Sequence, residues 1–184
     1  MIELRSSLRR KVLAYYFTNP TAEHYLRELA RLLEVDPANL SRELARLERM
    51  GLFASGRRGN QKHFRLNKKY PLFEEVRRIV ESTVGVVPSL RAAFRELSGI
   101  REAYLYGSFA RNQQDALSDI DVLIVGRPPA LPLERLIRKL EGEWRREINY
   151  TVLSPEEFRA RRSRKDAFLA DIWRRKKIAL VEAA

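Results

Sequence analysis

Residues 103–126, AYLYGSFARNQQDALSDIDVLIVG, decide the fold of the C-terminal half of the chain. The stretch opens with an apolar run that ends at a Gly-Ser pair, and it closes with acids that alternate with apolar residues before the run becomes wholly apolar. This change is typical of a strand that enters a buried sheet. Because side chains alternate along a strand, Asp119 and Asp121 are predicted to point from one face and Ile120 from the other.

Two adjacent carboxylates and a Gly-Ser corner predict a phosphate and metal site. Asp119 and Asp121 repel each other unless a positive group lies between them, and a divalent metal is the usual one. With no cysteine and only two histidines, any metal must be a hard ion with oxygen ligands. Gly107 allows the backbone to approach a phosphate, and Ser108 can donate hydrogen bonds to it at the start of a helical turn.

The pattern of Gly107-Ser108, ten residues and then Asp119-x-Asp121 resembles the signature of the polymerase-beta-type nucleotidyltransferases, in particular the minimal nucleotidyltransferase group. The likeness includes the Phe-Ala-Arg that follows Ser108. It implies transfer of a nucleoside monophosphate from a nucleoside triphosphate to a hydroxyl, dependent on Mg²⁺ or Mn²⁺. Arg111 is a further candidate for a phosphate contact.

The family also uses a third carboxylate on a later strand, and here the sequence departs from it. A strand predicted over residues 147–153 places Glu147, Asn149 and Thr151 on one face, with Asn149 at the position of the missing acid. An amide oxygen can ligate Mg²⁺ but supplies no negative charge, so the metal should be held less firmly. Glu147 can substitute if the strand is shifted by two residues. Retained and weakened catalysis therefore both stay open.

Most of the net positive charge lies at the N-terminal end of the chain. Residues 1–70 carry 15 Lys and Arg against 7 Asp and Glu, whereas residues 71–184 carry 21 against 17. Such an excess favours a polyanionic partner. Apolar spacing predicts three helices, which are followed by two short strands around a basic turn. The three helices are expected at residues 4–17, 24–34 and 37–50, and the basic turn at residues 55–62.

Three helices and a basic hairpin resemble the winged helix-turn-helix of transcriptional regulators. The resemblance implies DNA as a partner, with residues 37–50 as the recognition helix and residues 57–62 as the wing. Base edges are expected near the start of that helix, and phosphates along its outer face and the wing. The candidate DNA-binding residues are Asn39, Ser41, Arg42, Arg46, Arg57, Arg58 and Lys62. Winged helices also bind proteins or RNA, so DNA is favoured among open alternatives.

The predicted fold class is α+β. A winged helix-turn-helix domain is expected over residues 1–70, a helical linker over residues 71–98 and a mixed β-sheet flanked by helices over residues 99–184. The linker can bridge the domains or pair two copies, so a homodimer stays open. The basic clusters at residues 159–165 and 173–177 are interpreted either as solvated faces or as contacts to nucleic acid or triphosphate.

Three functions stay open at this point. The chain can be an active nucleotidyltransferase that modifies a protein or RNA acceptor, or a transcriptional regulator whose weakened nucleotidyltransferase domain senses Mg-nucleotide. The third is the antitoxin partner of a small toxin, which the resemblance alone suggests. No apolar run is long enough to span a bilayer and the N-terminal residues lack a signal-peptide pattern, so we expect no membrane partner and a cytoplasmic location.

Overall fold

Buried apolar side chains gather into separate clusters along the chain. The computed structural model, which describes residues 4–111, 113 and 118–182, divides accordingly into two compact units. Unit 1 is Met1–Val86 and unit 2 is Val87–Ala184. Among the described residues, no helix has both the length and the apolar character needed to cross a membrane.

Unit 1 consists of helices and one small antiparallel sheet with the strand order β1–β3–β2. Its elements in chain order are α1 Ser7–Thr18, β1 His24–Tyr25, α2 Leu26–Leu33, α3 Pro37–Arg49, β2 Phe53–Arg58, β3 Gln61–Leu66 and α4 Phe73–Thr83. The start of α3 follows from its sequence. Pro37 occupies the first turn, and the Asp36 side chain accepts a hydrogen bond from the Asn39 backbone N–H at 2.8 Å.

The second helix is shorter than its apolar pattern predicts. His24 and Tyr25 form β1, which pairs with Phe64 and His63 of β3, so α2 begins only at Leu26. The pairing partner lies about forty positions along the chain, and local periodicity carries no information about it. The basic turn is also shorter than predicted, because β2 and β3 extend over most of residues 55–62.

The helix α4 completes the core of unit 1. Its buried residues Phe73, Val76 and Val80 belong to the same cluster as α1 to α3, and the ring of Phe73 stacks on Phe17 with 5.5 Å between centroids. This helix falls within residues 71–98, the segment predicted as a linker. The division between the units lies later in that segment, after Val86.

Unit 2 is a mixed four-stranded sheet flanked by helices, which confirms the predicted α+β class. Its strand order is β6–β5–β4–β7, with β5 and β6 parallel and the other pairs antiparallel. Its elements are α5 Val86–Glu96, β4 Ile100–Tyr106, α6 Gly107–Arg111, β5 Ile120–Gly126, α7 Ala130–Trp144, β6 Ile148–Leu153, α8 Pro155–Ser163, α9 Ala167–Arg174 and β7 Ile178–Val181.

Two helices of this unit contain a proline in their first turn. Pro88 and Pro132 each lie at the third position of a helix, in α5 and α7. Proline costs little there because the N–H groups of the first turn have no partner within the helix.

The central strand β5 is buried on both faces, as its continuous apolar run predicts. Leu123 and Val125 pack on one face against residues of α8 and α9, such as Phe158 and Leu169. On the other face Val122 is also fully buried. The ends of β5 and its neighbours β4 and β6 position the candidate site.

Candidate functional site

The strand register brings the two predicted acids and Asn149 together. Asp121 pairs with Tyr106 across the antiparallel β4–β5 ladder and with Asn149 across the parallel β5–β6 ladder. Paired residues of neighbouring strands point to the same face of a sheet. The side chain of Asn149 donates a hydrogen bond from Nδ2 to Oδ2 of Asp119 at 3.1 Å. Asp119, Asp121 and Asn149 therefore form one polar cluster, which we call the acid cluster.

Gly107 lies directly against the acid cluster. It has φ +72° and follows the last residue of β4, and a Cβ at this position would lie 2.0 Å from Oδ2 of Asp121. Only a residue without a side chain fits both the backbone conformation and the space. The short helix α6 begins here with Gly107 and Ser108. The predicted Gly-Ser corner is thus next to Asp121.

The acid cluster concentrates negative charge in a partly buried place. Burial raises the pKa of Asp121 above its usual range, and the nearby charge of Asp119 raises that pKa further. Arg111 acts in the opposite direction and lowers the pKa of Asp121. Its Nε also donates a hydrogen bond to Oε1 of Gln113 at 2.9 Å. Arg111 is therefore close enough to Asp121 to influence its charge.

Next to the acid cluster lies a tyrosine that the sequence pattern does not identify. Burial raises the pKa of the Tyr106 hydroxyl, the charge of Asp121 raises it further, and a hydrogen bond with Thr151 lowers it. Thr151 lies on β6 opposite Leu123. The Tyr106 side chain therefore crosses β5 and places its hydroxyl at the edge of the acid cluster. Only the pairing of three strands reveals this position.

Arg146 connects the two halves of the predicted motif. It is 6% exposed, and its guanidinium donates a hydrogen bond to the backbone carbonyl of Ser118 at 2.8 Å. The same group lies 5.7 Å from the ring centroid of Phe109. It thus holds the residue before Asp119 and the segment after Gly107. In a chain rich in arginine, nothing in the local sequence distinguishes Arg146 from its exposed neighbours.

Glu147 is not positioned like Asn149. It is exposed and precedes β6, which begins at Ile148, and its backbone carbonyl accepts a hydrogen bond from the N–H of Ile120 at 2.9 Å. The register pairs Asp121 with Asn149, so the two-residue shift that would bring Glu147 to the acids does not occur. Within residues 4–111, 113 and 118–182, no group of three or more His, Cys, Asp or Glu forms a metal site.

In unit 1, one side of α3 is exposed while the other lies in the core. Asn39, Ser41 and Arg42 are exposed, and Leu40 and Leu44 are fully buried. The guanidinium of Arg42 donates a hydrogen bond to the side chain of Asn39. The three candidate base-contacting residues therefore share the outer surface near the start of the helix.

The basic residues of the hairpin differ in their ion pairs. Arg58 contacts Glu23 at 3.0 Å and Lys62 contacts Glu48 at 2.7 Å. On α3, Arg46 lies 3.9 Å from Glu43. Arg57 is exposed on β2 and has no ion pair with the part of the chain that the structure describes. Of the three basic residues predicted to contact DNA from the hairpin, Arg57 is therefore the one whose charge is not neutralised by a nearby acid among the described residues.

Comparison with known proteins gives one family match and several distant structural likenesses. Residues 87–181 match the family described as Nucleotidyltransferase domain. Among solved structures, the toxin–antitoxin with AMP-PNP is 18% identical with TM-score 0.39, and the match covers 52% of this chain and 73% of that chain. A mutant of the toxin–antitoxin MntA–HpeT is 16% identical with TM-score 0.40, covering 53% and 74%. ZitR of Lactococcus lactis is 20% identical with TM-score 0.36, covering 52% and 60%. No curated protein matches the chain.

Proposed function

Because this chain belongs to the nucleotidyltransferase domain family, we propose that unit 2 transfers a nucleoside monophosphate from a nucleoside triphosphate to a hydroxyl acceptor. The observation that carries this proposal is the acid cluster beside Gly107, where Asp119 and Asp121 lie within reach of Asn149. In the proposed reaction the acceptor oxygen bonds to the α-phosphorus, the bond to pyrophosphate breaks, and the acceptor loses its proton.

The acid cluster fits a hard divalent ion. Its side chains offer carboxylate and amide oxygens, the ligands that Mg²⁺ and Mn²⁺ prefer, and the absence of a side chain at Gly107 lets the Asp121 carboxylate lie close to the backbone. Asp119 and Asp121 would hold the ion, with the side-chain oxygen of Asn149 as a weaker ligand. When bound, such an ion neutralises phosphate charge and favours ionisation of the attacking hydroxyl.

The remaining roles are proposed for residues of the chain itself. The hydrogen bond from Asn149 orients the carboxylate of Asp119. Arg111, which lies near Asp121, and Ser108, at the start of α6, are the proposed contacts to phosphate oxygens. An amide is not a base at neutral pH, so Asn149 cannot accept the proton of the acceptor hydroxyl. That proton passes to water or to the phosphate itself. We therefore expect transfer to be slow.

The proposal is tested with the full chain, α-labelled nucleoside triphosphates, Mg²⁺ and cell extract. We expect labelled acceptor with the unaltered chain and none with the double variant Asp119→Asn, Asp121→Asn. Glu143→Gln, which removes an exposed acid of α7, is the matched control and should transfer label normally. Transfer that survives in the double variant would rule out this site.

We propose that unit 1 is a winged helix-turn-helix that binds DNA, with α3 in the major groove and the β2–β3 hairpin along the backbone. The order of helices and strands and the three-stranded antiparallel sheet support this assignment. So does the division of α3 into a buried apolar side and an outer side that carries Asn39, Ser41 and Arg42. Arg57 adds an uncompensated charge at the hairpin.

The DNA-binding proposal is tested by measuring affinity for DNA over a range of salt concentrations. Arg57→Ala should weaken binding and reduce the salt slope by about one, because it removes a phosphate neutraliser. Arg42→Ala should weaken binding and relax the preference for one DNA sequence, because it removes a candidate base contact. Arg58→Ala should have a smaller effect, since Glu23 already neutralises this charge. Arg78→Ala on α4 is the control with the same change of charge. Equal effects of all four substitutions would contradict the assignment.

A further inference from the structure

An exposed aromatic side chain lies beside the acid cluster. Phe168, in the first turn of α9, is 37% exposed. Its ring meets the edge of Tyr106 with 5.9 Å between centroids, and Tyr106 is the cross-strand neighbour of Asp121. Phe168 therefore presents part of an aromatic ring to solvent next to Tyr106, at the border of the acid cluster.

The segment that leads to Phe168 carries exposed cations. After α8 the chain turns tightly, with the N–H of Lys165 bonded to the carbonyl of Arg162 at 3.1 Å and the N–H of Asp166 to that of Arg161 at 3.0 Å. Asp166 then caps α9 through the N–H of Leu169 at 3.1 Å. This fixed turn holds basic side chains directly before Phe168. We call Arg161, Arg164, Lys165 and Phe168 the basic strip.

The cations of the strip differ in how far they are compensated, since the pKa of Glu157, which hydrogen bonds with Ser154 lower most, is lowered further by the nearby charge of Arg161. Residues 155–177 carry nine Lys and Arg against four Asp and Glu. Two of these acids are engaged away from the strip, since Asp171 pairs with arginines at the end of α9 and Glu156 pairs with Arg127 and Arg159. Arg164 and Lys165 have no ion pair with any residue that the structure describes. Their charge is available to a ligand.

We propose that the basic strip binds a single-stranded nucleic acid and that a terminal hydroxyl of this strand is the acceptor of the proposed transfer. This inference rests on the proposed function of unit 2. Exposed cations neutralise successive phosphates, and an exposed aromatic ring stacks on a base, which is how single strands are bound without regard to sequence. An acidic protein would also be attracted by Arg164 and Lys165, and transfer to such a protein is an outcome of the test below.

Binding is measured with the full chain and fluorescein-labelled ten-nucleotide RNA and DNA strands, without nucleoside triphosphate. The triple variant Arg161→Ala, Arg164→Ala, Lys165→Ala should bind at least ten-fold more weakly, with a salt slope reduced by about two. The matched control removes three exposed cations from α7. No residue of α7 belongs to the buried apolar cluster in which α8 and α9 pack on the sheet. This control is Arg135→Ala, Arg138→Ala, Lys139→Ala, and it should bind like the unaltered chain.

The aromatic contribution is tested separately. Phe168→Ala should weaken binding about five-fold or more, as expected for the loss of one stacked base. Leu131→Ala, which removes a similarly exposed apolar side chain from α7, should have no effect. If Arg42→Ala with Arg57→Ala abolishes binding of single strands while the basic strip variants do not, unit 1 is the binding site and the inference is overturned.

A final comparison separates this inference from the proposed function. The double variant Asp119→Asn, Asp121→Asn should bind the labelled strands at least as well as the unaltered chain while it transfers no nucleotide. If the unaltered chain binds the strands but transfers no nucleotide, the proposed enzymatic activity is wrong, while the proposed binding surface is still supported. Transfer to a protein in the extract that is unaffected by loss of the basic strip would refute the nucleic-acid acceptor alone.

Discussion

At the scale of single residues, the amide side chain of Asn149 limits the rate of nucleotide transfer that we expect from the acid cluster. Asn149→Asp would supply a third carboxylate beside Asp119 and Asp121 and a base for the acceptor proton. We expect nucleotide transfer to become about a hundred-fold faster, which is the lower range for general base catalysis. Without metal the same variant should be less stable, because a hydrogen bond to Asp119 is replaced by repulsion.

The measurements for this prediction are the transfer rate and the melting temperature with and without Mg²⁺. The increase in melting temperature on adding Mg²⁺ should be larger for Asn149→Asp than for the unaltered chain. Asn149→Ala is the control, since it removes the hydrogen bond without adding charge. Mg²⁺ should not raise its melting temperature more than it raises that of the unaltered chain. A slower reaction in the aspartate variant would mean that Asn149 is not at the position of the family's third acid.

Gly107 sets the distance between the backbone and Asp121. Gly107→Ala would place a methyl group where Oδ2 of Asp121 now lies, in a backbone conformation with φ +72° that L-residues avoid. The carboxylate must move, so we expect nucleotide binding at least ten-fold weaker and a stability loss of about 1 kcal/mol. Calorimetric titration with a nonhydrolysable triphosphate and urea denaturation measure the two effects.

Gly142→Ala is the matched control for that substitution. Gly142 is in α7, and a Cβ there meets no atom within 4 Å. Alanine should therefore stabilise the helix by about 0.5–1 kcal/mol and leave nucleotide binding unchanged. If Gly107→Ala binds nucleotide as well as Gly142→Ala does, the Gly-Ser corner does not contact the phosphates.

Residues of the candidate site differ in how far the sequence could predict them. The common orientation of Asp119 and Asp121 follows from the two-residue alternation of one strand, which is a local property. Tyr106 reaches the acids only because β4, β5 and β6 are paired, and Arg146 contacts a carbonyl 28 positions earlier in the chain. Contacts between distant segments leave no local pattern, so sequence reasoning missed both residues.

At the scale of elements, the sequence predicts which segments form helices better than it predicts where they pack. The spacing of Phe73, Val76 and Val80 predicts one apolar face on α4. It does not say which core that face enters, and the structure places it with α1. The strand β1 was predicted as helix because its two residues gain their conformation from a partner strand.

The hairpin is linked to α3 by Glu48, whose carboxylate accepts hydrogen bonds from Lys62 at 2.7 Å and from Ser55. These bonds, first that from Lys62, lower the pKa of Glu48 below its usual 4.5. A carboxyl whose pKa is lower in the folded state stabilises the fold above its unfolded pKa, and this stabilisation is lost as the pH falls through the folded value. The link should therefore act at neutral pH and vanish in acid.

Glu48→Gln tests this link. We expect it to reduce the free energy of unfolding by about 0.5–1 kcal/mol at pH 7 and by less at pH 3. Urea denaturation at both pH values measures the difference. Glu75→Gln on α4, an exposed acid without an ion pair in the described part of the chain, should have little effect at either pH. An equal loss at both pH values would show that the charge of Glu48 contributes nothing.

At the scale of the whole molecule, the division after Val86 defines which fragment can fold. A fragment of residues 1–70 lacks α4 and therefore Phe73, Val76 and Val80, all of which are buried in the core of unit 1. Loss of these side chains is comparable to the entire stability of a small domain, about 5 kcal/mol. Residues 1–86 should unfold cooperatively in urea, whereas residues 1–70 should show no cooperative transition.

Circular dichroism of the two fragments decides this prediction. The shorter fragment should also lose the stack of Phe17 on Phe73 and expose the apolar face of α1, so it should bind a hydrophobic dye that the longer fragment does not bind. Phe73→Ala in the fragment of residues 1–86 is an intermediate case and should cost about 3 kcal/mol. If residues 1–70 unfold with the same midpoint as residues 1–86, α4 is a linker after all and the core of unit 1 is complete without it.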